Sequence, residues 1–157
     1  MATAADLVYA AEDNVRRLLK MVSGSSSSSV EFLNSQIEVE PVIVFGHIDH
    51  ALRYTQSVAA LEQRAMSVRV MDDDDTDYHS VGAFHKDGTI VFNPEAKDLD
   101  QLLVLHEIAH ACSGNGHGDS FIVTYVDLVR RYIGHGVALI LDYELRTSRG
   151  KSMSGKL

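Results

Sequence analysis

Leu7, Val8, Ala11, Val15, Leu18, Leu19 and Val22 recur at helical spacing. The chain is therefore expected to open on a helix from about Asp6 to Val22 that carries one apolar stripe. Ser23 to Ser29 has no apolar residue to bury and reads as a flexible linker, too short to separate two sizeable domains. From Val30 to Val44 the apolar positions Ile37, Val39, Val42 and Val44 suit extended chain, and Pro41 marks an edge or a bend. A second helix is expected from about His47 to Ala65, then a short strand from Ser67 to Met71. Val81 to Asn93 reads as a hairpin around Lys86-Asp87-Gly88, where Gly88 accepts a positive φ.

Asp98 is placed to cap the next helix, with Gln101 at the reciprocal capping-box position. That helix ends near Ser113-Gly114. Another runs from Gly118-Asp119 to Gly134, with Gly134 as its left-handed cap. A last helix spans Val137 to Arg146, and the polar tail from 147 to 157 is expected to fray. The pattern contains no internal repeat. It predicts an α+β fold: a small mixed or mainly antiparallel sheet with helices packed on it.

Length and charge narrow this picture. The 157 residues fit one domain spanning 1–157. No stretch of about 18 apolar residues occurs, so no membrane helix is expected. Met1 to Asp6 lacks the basic and apolar regions of a secretory signal, and Cys112 is the only cysteine. Both facts favour a reducing, cytoplasmic setting. The net charge of -8 argues against a nucleic-acid partner, which calls for clustered Lys and Arg. The acidic run Asp72, Asp73, Asp74, Asp75 and Asp77 reads as a solvated loop. It lacks the Gly and Glu that a calcium loop needs at its sixth and twelfth positions.

The chemistry lies in His106-Glu107-Ile108-Ala109-His110. Histidines four apart on a helix differ by about 40° of rotation, so both rings point one way and can share a zinc ion. Glu107, rotated by about 100°, is not a ligand from there but reaches a coordinated water as general base. Val104, Leu105, Ile108, Ala111 and Cys112 face away and are expected to pack on the sheet. Cys112, about 200° from His110, is no ligand on a regular helix. The bare motif is only moderately specific; its position in a helix after a hairpin adds weight.

A catalytic zinc usually takes three protein ligands and keeps one open position. His117 is the best third ligand, because Gly114-Asn115-Gly116 lets the chain turn sharply and Gly118 keeps bulk away. Asp119 is the nearest acidic alternative, though it is better placed as an N-cap. Asp127 and Glu144 are weaker ones. His47 and His50, three apart, read as a solvated helix start rather than a second metal site. Tyr78, His79, His85, Tyr125 and His135 could each polarise a carbonyl, and the sequence does not choose among them. Tyr125, two turns beyond His117, is placed to pack near the site or to bond a ligand.

These residues resemble two families. The pentapeptide followed by Gly116-His117-Gly118-Asp119-Ser120-Phe121 is similar to the SprT-like, Spartan-type zincins, in which HExxH precedes a GHGxxF element whose histidine is the third ligand. That likeness covers about Leu99 to Phe121. The insert here is shorter, and the acidic surface departs from a role on DNA. The chain also resembles, nearly end to end, a family of HExxH metallohydrolases from actinobacteria and their phages. Its N-terminal helix, like Val8-Tyr9-Ala10-Ala11-Glu12, its hairpin and its helix from Phe121 to Gly134 carry that resemblance. Metzincins differ, since their third histidine falls where this chain has Gly116.

The reading is a zincin-like hydrolase holding Zn2+ through His106, His110 and His117, with Glu107 as the general base. It cleaves amide bonds of a peptide or protein substrate that can add as a strand beside Val81 to His85. The alternatives are a hydrolase of non-peptide substrates and a non-catalytic, zinc-stabilised interaction module.

Overall fold

The computed structural model describes residues 2–23, 28–78, 81–97 and 99–154. It is an α+β arrangement with five helices, a two-stranded hairpin and a three-stranded sheet among those residues. The chain divides into two compact units, residues 1–42 with 117–157 and residues 43–116.

The first unit is mainly helical. Helix α1, Ala4–Ser23, begins at a reciprocal cap. The Thr3 N–H donates to the Asp6 carboxylate at 2.8 Å, and the Asp6 N–H donates to the Thr3 hydroxyl at 3.1 Å. Those bonds hold the Asp6 carboxyl below its ordinary pKa, the backbone donor contributing most. Val8, Ala11 and Val15 are buried as the periodicity requires, while Leu18 and Leu19 are half-buried.

Strands β1 (Ser29–Phe32) and β2 (Ser35–Glu38) pair antiparallel. They fold back at Leu33-Asn34, where both residues have positive φ, 50° and 62°. This is a primed two-residue turn, whose twist suits a hairpin. The expectation of one extended run from Val30 to Val44 missed it, because Leu33 carries none of the usual glycine signal. Residues 24–27 of the serine-rich stretch lie outside the described residues, and Ser23 closes α1.

Helices α4 (Asp119–Tyr132) and α5 (His135–Ser154) complete this unit. The last helix is longer than predicted and takes in residues 147–154 instead of leaving them frayed. Gly134 has the expected positive φ, 156°, and separates α4 from α5. A side chain at Gly136 would run into the Glu38 carbonyl and crowd the Val39 Cα, and one at Gly134 would strike the Glu40 carboxylate. Glycine lets the start of α5 lie against the end of β2. Phe32 meets Tyr143 of α5 edge-on, ring centres 5.3 Å apart.

The second unit holds the sheet, in the order β3-β5-β4. Strand β3 (Ser67–Val70) runs parallel to β5 (Thr89–Phe92), and β4 (Ala83–Lys86) runs antiparallel to it. The sheet is therefore mixed. Ile90, Val91 and Phe92 of the central strand have no exposed surface, because neither face of β5 meets solvent. On one face Val91 clusters with Phe84 and Met71. The β4–β5 turn is where the sequence puts it, with positive φ at Asp87 and Gly88.

Helix α2, Ile48–Leu61, is capped by His47, whose Nδ1 accepts from the Asp49 N–H at 3.2 Å. Helix α3, Gln101–Ser113, carries the motif. Its cap is Asp100, which accepts from the Leu103 N–H at 2.9 Å; the expected Asp98 lies outside the described residues. Gln101 does not complete a capping box. Its side chain accepts from the Ile43 N–H at 2.9 Å and donates to the Tyr54 hydroxyl at 3.2 Å, clamping the strand-like segment at 43–45 beside 99–101.

The acidic run is not wholly solvated. Asp73–Tyr78 forms a short 3-10 helix. Asp75 is buried and receives both Arg69 guanidinium nitrogens, at 2.7 and 3.0 Å, with the Asp72 N–H at 2.9 Å. No helix among the described residues is long and apolar enough to cross a membrane.

Candidate metal centre

Helix α3 is enclosed almost all round. Leu102, Val104, Leu105 and Ile108 are buried, and so are His106, Glu107 and His110, at 0%, 3% and 7% exposure. Ala111 and Cys112, expected among the packed residues, are only half-buried. Polar rings in such a setting are costly unless their nitrogens are engaged.

The His110 ring is fixed at one end by the turn that follows its helix. The chain leaves α3 at Gly114, with φ of 97°, and the Gly114 N–H returns to the His110 carbonyl at 2.8 Å. The Gly114 carbonyl in turn accepts from His110 Nδ1 at 3.0 Å. A carbonyl can only accept, so Nδ1 carries the proton and Nε2 presents a lone pair. Nε2 lies 3.2 Å from His106 Nε2. Two ligand nitrogens at about 2.0–2.1 Å from one tetrahedral ion stand about 3.3 Å apart. The pair thus has the spacing of two ligands on one cation.

His117 supplies the third nitrogen. One ligand atom from each of His106, His110 and His117 lies within 4.8 Å of the others. The His117 ring packs edge-on against Phe121, centres 4.8 Å apart, and lies 6.3 Å from the Tyr9 ring. Aromatic neighbours on α1 and α4 thereby orient the imidazole. Three converging imidazoles, one of them with its tautomer fixed by a backbone carbonyl, are a donor set that fits a borderline ion such as zinc.

The acidic alternatives are engaged elsewhere. Asp119 pairs with Arg149, Asp127 with Arg130 and Arg131 at 3.2 and 2.9 Å, and Glu144 accepts from Asn14 at 3.1 Å. Nor is Asp119 the N-cap of α4. Gly118 holds that position, without a side-chain bond. His47 lies 6.1 Å from His50 ring to ring and serves as a cap. His79 falls outside the described residues.

Two relationships escaped the sequence. Tyr125, with no exposed surface, stacks near Phe121 and donates to the buried Glu12 carboxylate at 2.8 Å. Glu12 sits on the apolar stripe of α1, between Val8 and Val15, which was the available signal. His85, on β4, bonds Asn115 of the post-helix turn at 3.1 Å; a separation of 30 residues leaves no local pattern to read. No protein-family model, curated protein or solved structure matches this chain.

Proposed function

We propose that this protein is a zinc-dependent metallohydrolase of zincin-like build that cleaves amide bonds in peptides. The observation that carries the proposal is the convergence of His106, His110 and His117 nitrogens within 4.8 Å, with Glu107 adjacent on the same buried helix. The resemblance to SprT-like zincins and to actinobacterial and phage HExxH hydrolases points the same way.

His106, His110 and His117 would hold the ion. Bound zinc supplies Lewis acidity, which lowers the pKa of coordinated water and polarises a carbonyl. Glu107 has the proton-handling role: its carboxylate removes a proton as the water oxygen adds to the carbonyl carbon. The same carboxyl then delivers that proton to the amide nitrogen as the C–N bond breaks. Burial of Glu107 and both α3 histidines keeps bulk water away from these groups, which strengthens their electrostatic action.

Strand β4 lies at one edge of the sheet order, which favours the reading that an extended substrate adds there as a further strand. The deciding experiment compares wild type with Glu107→Gln, measuring zinc content and turnover over a panel of peptide and non-peptide amides. Retained zinc with abolished peptide hydrolysis is expected. Equal activity in the variant rejects Glu107 as base. Zinc bound by a wild type that turns over no substrate in the panel favours a non-catalytic interaction module.

A further inference from the structure

We infer that His85 and Asn115 form a positioning latch that fixes the turn from which the third metal ligand is delivered. This rests on the metal reading above and adds to it a pair of residues outside the motif. The connection from α3 to His117 is Gly114-Asn115-Gly116, and a methyl group at either glycine would meet nothing within 4 Å. Two glycines with open surroundings give the turn wide conformational freedom. The start of the turn is held by the bonds between Gly114 and His110. Asn115, two residues before His117, is tied to the sheet: its side-chain oxygen accepts from His85 Nδ1 at 3.1 Å.

His85 is set for this. It lies on β4 opposite Ile90 of the central strand, so a paired and packed backbone fixes its Cα. Its Nε2 is enclosed and has no hydrogen-bond partner among the described residues. An unpaired buried nitrogen disfavours the folded state, and the polar bond that the ring does make is the one to Asn115. The contact therefore joins a paired strand of the sheet to the glycine-flanked turn that leads to His117. A ligand held in place before the ion arrives binds it more tightly than one that must first be ordered.

The test measures zinc affinity by competition with a chromogenic chelator, and the visible spectrum of the cobalt-substituted protein. Wild type is compared with Asn115→Ala, His85→Ala, their double variant, His85→Asn and His117→Ala. Breaking the latch is expected to weaken zinc affinity by about fivefold, the equivalent of one ordinary hydrogen bond. The double variant should be no weaker than either single one. His85→Asn, whose amide can still donate to Asn115, should restore affinity towards wild type.

Wild-type affinity in both Asn115→Ala and His85→Ala, with loss in His117→Ala, overturns the latch and leaves the metal site standing. A wild type that takes up no zinc, or a His117→Ala protein that binds as tightly as wild type, rejects the metal reading and the latch with it. If His85→Ala fails to fold by circular dichroism, the exposed Asn115→Ala variant decides.

Discussion

The Nε2 atoms of His106 and His110 face each other at 3.2 Å from adjacent turns of one helix. That helix is enclosed along most of its length, so the spacing is set by packing and not by a chance meeting of mobile side chains. Since His110 Nδ1 carries a proton towards the Gly114 carbonyl, its Nε2 lone pair points into the gap between the rings.

Zinc should therefore stabilise the folded protein. At a hundredfold excess over the dissociation constant, binding contributes about 2.7 kcal/mol, which raises the melting temperature by about 5–10 °C for a chain of this size. The rise is measured by differential scanning calorimetry with zinc and again with a chelator. His106→Ala and His110→Ala should melt at one temperature under both conditions. A zinc-dependent rise retained in either variant would show that the ion binds elsewhere.

Strand β4 offers a cleaner probe of substrate binding than any change within the motif. The Asn93 N–H donates to the Gly82 carbonyl at 2.8 Å. By antiparallel alternation, the N–H of Ala83, opposite Phe92, points away from β5. Ala83→Pro thus removes an outward donor while keeping the β4–β5 ladder. Zinc content should be unchanged and peptide kcat/KM should fall about tenfold, the equivalent of one strong hydrogen bond to a strand-like substrate. Unchanged turnover would place the substrate elsewhere.

Two glycines of α5 should respond in opposite directions. Gly136→Ala forces a methyl group into the Glu38 carbonyl and should cost about 1–3 kcal/mol in overpacking. Gly150, exposed within the same helix, has nothing within 4 Å of an added methyl. There alanine should stabilise by up to about 1 kcal/mol through helix propensity. Urea unfolding of both variants checks the pair.

The Arg69–Asp75 pair predicts a pH dependence. The guanidinium bond first, and the Asp72 N–H second, hold the Asp75 carboxyl well below its ordinary value of 3.8. A carboxyl depressed on folding contributes stability above its unfolded pKa and loses that contribution as pH falls towards the folded one. Asp75→Asn should accordingly be less stable than wild type at pH 7, and the gap should narrow below about pH 4. Denaturation midpoints at several pH values test this, and a gap independent of pH would refute it.

What could be read in advance follows from how far each signal reaches along the chain. The stripe from Val8 to Val15, the Asp87-Gly88 turn and the facing histidines on α3 are local consequences of period and turn chemistry, and they stand where expected. Asp75 and Glu12 were harder. A carboxylate looks solvated in sequence, and only folding brings Arg69 or Tyr125 to it. The spacing of Gln101 suits a local cap, yet its amide oxygen accepts from a distant backbone N–H, that of Ile43. At the Leu33-Asn34 turn the pairing of β1 with β2 goes with left-handed backbone at an exposed leucine that local preference would not choose.

The graded exposure of the three rings has a kinetic corollary. His106 has no surface, His110 has 7%, and His117 is half-buried. If the proposed ion binds here, His117 is the ring that a hydrated ion would reach most readily. Exchange with a chelator should be slow and set by breathing of the fold, so the length of the ion's stay becomes a property of packing as much as of coordination bonds.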